Sequence, residues 1–339
     1  MSNLNPKVSI VVPAYNAEKT LKRCLDSLFD QDWDSYEVIL VNDGSTDGTL
    51  GAASNYGDKS NFVVVSQPNK GIANSRWTGV CSSKGEYVGF VDADDCVKRN
   101  MFSKMYERAS VWNADIAVCN WLSMGDETLR HSLYKDSTID HIEKNVNLLI
   151  FKYCDGHLCN KIFKRELLSG EVFEKTYEVR YFEDIYFSSF VIPQARRITY
   201  LSDHLYCRFI HSASITRSLP SQALMDFLTV HKKIYCHFRQ NTDSFYARKV
   251  PGLYMRGLLE LGLIMKRNPS RDGFILQLEE TIKKEKARIT LSLFLGSWPG
   301  LKTLIMFFLD KVGLLDSAFK IWSSPFIRSI RNFRWGSSD

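Results

Sequence analysis

The chain has 339 residues, of which 45% are hydrophobic and 24% charged, and a formal net charge of +6. That length suits one sizeable catalytic domain plus a smaller second unit, since domains usually run about 100–200 residues, and the composition excludes a disordered or low-complexity chain. The charge is uneven, because residues 281–339 hold ten Lys/Arg against four Asp/Glu, and the remainder is balanced.

The polar Met1–Lys7 leads directly into an apolar run with no signal-like hydrophobic region. The eight cysteines are scattered, several in apolar runs (Cys24, Cys81, Cys119), without a CxxC pair. They read as reduced core residues, and a cytoplasmic location is expected.

The β-branched run Val8–Val12, ended by Pro13, predicts a first strand, and Leu21, Cys24, Leu25, Leu28 and Phe29 then fall on one helical face. Further buried-type strands are predicted at Val38–Val41, Phe62–Val65 and Tyr87–Val91, with helices near Asp47–Asn55 and Ile72–Ser82 between them. Apolar strands joined by helices imply a mostly parallel α/β sheet covered on both faces. A fifth strand is predicted at Asp115–Cys119, followed by a polar stretch, Gly125–Asn145, expected as loop and linker. Beyond Pro220 the pattern is helical, with one helix begun by Leu224, Phe227 and Leu228 and others at Leu253–Met265 and Phe274–Lys286.

In such sheets ligands sit beyond the carboxyl ends of the strands. Those ends are polar here: Pro13-Ala14-Tyr15-Asn16, Asn42-Asp43-Gly44-Ser45, Gln67-Pro68-Asn69-Lys70-Gly71 and Asp92-Ala93-Asp94-Asp95. Carboxylates this dense repel unless a cation neutralises them. A hard divalent ion, Mn²⁺ or Mg²⁺, takes oxygen ligands and keeps positions for phosphate oxygens, so Asp92, Asp94 and Asp95 are candidate ligands. An acidic loop capping the helix that starts near Asn100 is the plainer alternative. Asp43 also admits two readings, a tight turn ahead of a helix capped by Asp47 or Thr46, or a hydrogen bond to a nucleotide base stacked on Tyr15. Arg76 offers a rigid fork of donors to a diphosphate, or is a surface charge. Neither a GxGxxG after the first strand nor a Walker A loop is present.

Val8–Asn16, Glu37–Thr49, Asn69–Gly79 and Gly85–Asp95 resemble, in order, the signatures of the family two glycosyltransferases, the large inverting GT-A family. Cys159–Leu168 resembles the segment after the DxD loop in its capsule and lipopolysaccharide transferases. Phe182–Phe187 resembles its Glu-Asp motif, and Leu205–Arg208 with His211–Thr216 its closing strand and loop. The resemblance implies that Pro13, Tyr15 and Asp43 contact the nucleoside, with Asn16 and Ala93 in the same binding loops. It makes Asp92 and Asp94 the DxD pair, Asp184 the catalytic base, and His211 a group reaching the metal or the diphosphate. Where the family commonly has Ala-Arg-Asn, this chain has Ser75-Arg76-Trp77.

The expected protein is a metal-dependent transferase moving a sugar from a nucleotide-diphosphate donor, UDP by family habit, to a glycan or lipid-linked acceptor in surface polysaccharide synthesis. Its expected layout is a GT-A catalytic domain at 1–218 (donor half 1–120, acceptor half 121–218) and a basic helical region at 219–339. Ile289–Leu301 carries no charge but is broken by Pro299-Gly300, which suits surface-lying amphipathic helices better than a spanning one. Peripheral contact with the inner face of the plasma membrane is one expectation for this region, and plain packing with a solvated basic face the other. No nucleic-acid partner is expected. Two rivals were a sugar nucleotidyltransferase, which needs a glycine-rich Arg-bearing loop after the first strand, and a non-catalytic binding relative, which needs no base.

Overall fold

The computed structural model describes residues 5–125, 129–131, 134–140, 157–209 and 221–240, together with Tyr254, Leu258, Leu278 and 280–285. The chain divides into two compact units, Met1–Leu219 and Pro220–Asp339.

The first unit begins with β1 (Val8–Ala14), α1 (Leu21–Phe29), β2 (Tyr36–Asp43), α2 (Thr49–Ser54), β3 (Phe62–Gln67), α3 (Ile72–Ser82) and β4 (Tyr87–Phe90). After β5 (Cys96–Val97) and α4 (Met101–Val111) come β6 (Ile116–Met124), β7 (Leu129–His131), β8 (Ser137–Asp140) and β9 (Lys161–Lys164). The unit continues with α5 (Gly170–Glu174), α6 (Glu183–Val191) and β10 (Arg197–Phe209). One sheet runs β3-β2-β1-β4-β9-β6-β10-β5, with β7 paired to β6 and β8 to β10. The first four strands are parallel, as is β6 to β10. β9 runs antiparallel between β4 and β6, which joins the first four strands to β6 and β10.

β1 and β2 are buried along their whole length, as fully covered parallel strands should be. Helix α1 buries Leu21, Cys24, Leu25 and Leu28, the i, i+3, i+4, i+7 stripe of an amphipathic helix. Helix α3 lies so close to β1 that a Cβ on Gly79 would sit 2.2 Å from Val11 Cγ1, and glycine is what allows that approach.

Two expectations are revised. The run around β3 was expected to be covered on both faces, yet Val63 and Val64 are 38% and 43% exposed, because among the described residues β3 is the sheet edge and pairs with β2 alone. The polar stretch expected as a loop contains β7 and β8. These are short strands hung on the sheet by antiparallel pairing, and too brief to leave a periodic signal.

In the second unit the described helix α7 (Ser221–Gln240) buries Leu224, Phe227, Leu228 and Ile234. Tyr235 stacks on Tyr254 at 5.1 Å, and Lys232 pairs with Glu285 at 2.9 Å. The helix expected at Leu253–Met265 lies largely outside the described residues, whereas in the one expected at Phe274–Lys286 the described Leu278 and residues 280–285 are helical; the uncharged stretch Ile289–Leu301 lies wholly outside the described residues. Among the described residues no helix is long and apolar enough to cross a membrane.

Candidate active site

The site lies at the carboxyl ends of β1, β2 and β4, where buried strands deliver polar loops. Pro13 is buried in β1, in register with Val41 of β2, and Tyr15 just beyond is 54% exposed. Asn16 adopts a left-handed conformation (φ 50°), which Asn tolerates better than most residues. Its side-chain oxygen accepts from Thr46 N at 2.8 Å while its own N–H donates to Ser45 Oγ at 3.0 Å, so the loops after β1 and β2 are stitched together. Asp47 Oδ1 accepts from Thr49 N at 3.0 Å at the start of α2, whose N-cap position is Gly48 and not Asp47 or Thr46 as the sequence suggested.

Asp43 is buried, and its carboxylate faces the loop after β3. Oδ1 accepts from Gln67 Nε2 at 2.7 Å and Lys70 N at 2.9 Å, and Oδ2 from Gly71 N at 2.8 Å. Gly71 has φ +87°, a left-handed conformation suited to glycine that aims its N–H at the acid. Asp43 thus organises the start of α3 with the oxygens that the nucleotide reading would use.

After β4, the acidic residues part company. Asp92, Asp94 and Asp95 each bring a carboxylate oxygen within a group whose members all lie within 4.8 Å of one another. Asp95 is buried, with Oδ2 accepting from Tyr206 Oη at 2.5 Å and Oδ1 from Phe209 N at 2.8 Å. Burial, with the neighbouring Asp92 and Asp94 charges, pushes its carboxyl up to about 8 against those hydrogen bonds. Asp95 therefore ties the acidic loop to β10, while Asp92 and Asp94 keep partial exposure. Ala93 between them is buried. The backbone is held as well: Asp94 O accepts from the Arg23 guanidinium, and Arg23 lies 3.6 Å above the Phe209 ring. An all-oxygen set with crowded negative charge fits a hard divalent cation and suits no soft metal.

Arg76 joins this loop to the helix carrying Asp184. Its guanidinium is buried and donates to Glu183 Oε1 at 2.9 Å and to Asp92 Oδ1 at 3.3 Å. Burial opposes its charge, and Glu183 and Asp92 more than offset that, holding it above its ordinary range. Its burial overturns the surface-charge reading, and the interaction seen is this carboxylate bridge. Glu183 and Asp184 occupy the first turn of α6, the end where helix dipoles favour acids. Desolvation and the Asp184 charge push Glu183 up to about 7 despite Arg76. For Asp184, burial works upward, but His157 and Arg76 outweigh it and keep the acid below its usual range.

α6 is seated by aromatic packing. Phe187 lies 4.7 Å from Phe173 of α5, 6.1 Å from Phe163 of β9 and 6.3 Å from Phe90 of β4, ring centre to ring centre. Trp77, where the family pattern has Asn, packs on Phe173 at 5.3 Å. That indole supports α5 and leaves the neighbouring Arg76 pointing at Asp92 and Glu183.

The structure therefore brings together Arg76, Asp92, Asp94, Asp95 and the Glu183–Asp184 pair, with Pro13, Tyr15, Asn16 and Asp43 on the adjoining strand ends. His211 lies outside the described residues. Two side chains at the site were given no role by the sequence. Tyr206 lies in Leu205–Arg208, the stretch that resembles the family's closing strand, where nothing marks it as a partner of Asp95. His157, 3.6 Å from Asp184, is an isolated histidine ahead of Cys159-Asn160-Lys161.

A mostly parallel sheet with an acidic trio at the tip of β4, linked through one arginine to a carboxylate-bearing helix, defines a glycosyltransferase of the GT-A architecture. The family model described as Glycosyl transferase family 2 matches residues 9–170. Glycosyltransferase GlyG of Streptococcus pneumoniae is 30% identical over 222 residues, covering 62% of this chain and 73% of GlyG. The putative glycosyltransferase EpsH of Bacillus subtilis is 28% identical over 253 residues, 72% of either chain. The crystal structure of S. aureus TarS 1–349 superposes with a TM-score of 0.65 at 20% identity, covering 98% of this chain and 92% of that one. Its complex with UDP-GlcNAc superposes at 0.58, with 20% identity over 86% and 93%. The chain belongs to glycosyltransferase family 2, an inverting family whose members use nucleotide-sugar donors.

Proposed function

We propose that this protein transfers a sugar, with inversion and with a divalent cation, from a UDP-sugar to a hydroxyl of a glycan or lipid-linked acceptor during bacterial surface polysaccharide synthesis. The observation that carries the reading is the Arg76 bridge, which sets Asp92 and the Glu183–Asp184 helix start on either side of one guanidinium.

Asp92 and Asp94 would hold the cation, with Asp95 fixing their loop. When bound, a divalent ion supplies Lewis-acid stabilisation of the departing diphosphate. Tyr15 offers an exposed ring for a base to stack on, and Asp43 shapes the floor beneath it through the Lys70–Gly71 loop. Asp184 takes the proton from the attacking hydroxyl, a contribution of roughly 10²–10⁴ in rate. A carboxylate held below its usual range is ionised at neutral pH, as a base must be. Arg76 offsets the charge of Glu183 by pairing with it, which lessens the repulsion Asp184 meets from that neighbour.

UDP is favoured by the UDP-GlcNAc complex of S. aureus TarS together with the family habit. The surface-glycan acceptor is favoured by the resemblance of Cys159–Leu168 to capsule and lipopolysaccharide transferases. A peripheral position at the inner face of the plasma membrane belongs to the same proposal, through the basic 281–339 stretch.

Nucleotide release from a panel of UDP-sugars, measured with Mn²⁺, with Mg²⁺ and with chelator, tests this. The expected outcome is cation-dependent release that Asp94→Ala abolishes and that Asp184→Asn removes while donor binding persists. Full turnover in chelator, or wild-type rates in Asp184→Asn, would overturn the assignment.

A further inference from the structure

His157 was not singled out by any motif, yet it is the side chain that meets the remaining oxygen of Asp184. Asp184 Oδ1 accepts from Ile185 N at 2.9 Å, a bond within its own helix. Oδ2 lies 3.6 Å from His157 Nδ1. That separation is within ion-pair range, and a small approach of the two side chains lets the Nδ1–H donate to the carboxylate whether the imidazole is neutral or charged.

The seat of His157 is built from buried polar groups. Lys161 is fully buried, and its ammonium donates to the His157 carbonyl and, at 2.6 Å, to Asn160 Oδ1. Asn160 is in turn locked to β6: its Nδ2 donates to Cys119 O at 2.9 Å, and Cys119 N donates to its carbonyl at 3.0 Å. Trp121 of β6 meets the imidazole edge to face at 5.6 Å. These bonds from a buried ammonium fix the backbone that bears His157.

We infer that His157 is a positioning residue for Asp184, orienting its carboxylate through Oδ2 and suppressing it as a base when the imidazole takes up a proton. This rests on the reading of Asp184 as the base. Among the described residues, the charged groups near the pair are Arg76 and Glu183 on the Asp184 side, Lys161 at the His157 backbone, and Arg208, whose guanidinium lies 5.9 Å from the Trp121 ring centre. The three cations disfavour a charge on His157 and Asp184 favours one, and imidazole is the side chain whose ordinary range falls near neutrality. Its side chain is 36% exposed against 25% for Asp184, so solvent protons reach the histidine. A protonated imidazole pairs with Asp184 and lowers its proton affinity; a neutral one leaves the acid oriented and basic.

The test is the pH dependence of nucleotide release in full-length wild type, His157→Asn and His157→Ala, with saturating cation and the best donor from the panel. Asparagine places an amide N–H close to where Nδ1 sits but does not titrate. At pH 8, His157→Ala should lower kcat about 10-fold with donor KM unchanged, and His157→Asn should recover most of that loss. The acid limb of wild-type kcat should move down by about a pH unit or more in both variants. An unmoved limb, or a change confined to donor KM, would overturn the role of His157. Asp184→Asn separates the two ideas. If it turns over normally, the base assignment fails; if it is dead while the His157→Asn limb stays put, the positioning role alone fails. His157→Asn, close to isosteric, keeps the test decisive if the alanine variant does not fold.

Discussion

Arg76 and Glu183, 107 positions apart in sequence, form a buried ion pair at 2.9 Å, and the same guanidinium reaches Asp92 at 3.3 Å. Its planar fork presents separate N–H groups to two carboxylates in fixed directions, a geometry that a compact ammonium on a flexible stem does not reproduce. Arg76→Lys is therefore expected to lower kcat/KM about 100-fold, because the shared tether of the acidic loop and α6 is loosened. Arg76→Ala should cost about 3–5 kcal/mol, since it leaves Glu183 buried without a counter-charge. Steady-state kinetics and urea unfolding check the two.

Glu183 provides a pH test of stability. Its native value of about 7 lies above its ordinary 4.5, so the folded state binds the proton more tightly than the unfolded one. The resulting stability is fully present below about pH 4.5 and is lost as pH rises through about 7. Glu183→Gln removes the titration. Between pH 5 and 8 the variant should lose less stability than wild type, by a difference on the order of 1 kcal/mol. Melting curves across that range decide it, and parallel pH profiles would contradict it.

Asp43→Asn keeps the shape of the side chain but turns an acceptor into a donor. Each Asp43 oxygen receives a backbone N–H, from Lys70 and from Gly71, so either amide orientation sets N–H against N–H. The expected cost is about 1–3 kcal/mol, read from the urea midpoint at unchanged slope.

Trp77→Asn restores the residue common in the family and removes an aromatic packed on Phe173. A loss of roughly 2–4 kcal/mol is expected, with donor KM within about twofold if the indole serves packing alone. A large KM change at unaltered stability would instead place Trp77 in donor contact.

Much of the sheet was legible because β1, β2 and β4 are apolar runs that stop abruptly at polar residues, and those stops are the site. Helix α1 was legible for the same reason, as its stripe leaves no other face to bury. β3 misled, since Val63 and Val64 look like core residues but sit at an edge that sequence periodicity cannot mark. β7 and β8 were missed because three or four residues in a polar context carry too little pattern. In the site, residue identities were readable while their partners were not. Nothing local in Ser75-Arg76-Trp77 says that the arginine is buried, or that Glu183 rather than a phosphate takes one of its bonds. Asp95 reads like its neighbours, and its separation from them depends on Tyr206 and Phe209 arriving on β10. His157 had no signal, because its role exists only through a carboxylate on a different helix.

Gly79 touches none of these groups, yet it governs where they stand. A methyl there would collide with Val11, and the cheapest relief is for α3 to lift from β1. Arg76 lies one turn earlier on that helix, so the guanidinium would be carried away from Asp92 and Glu183 together. A substitution at Gly79 should thus look, in kinetics, like an injury to chemistry inflicted from a distance: the helix is a lever, and its fulcrum is a hydrogen atom.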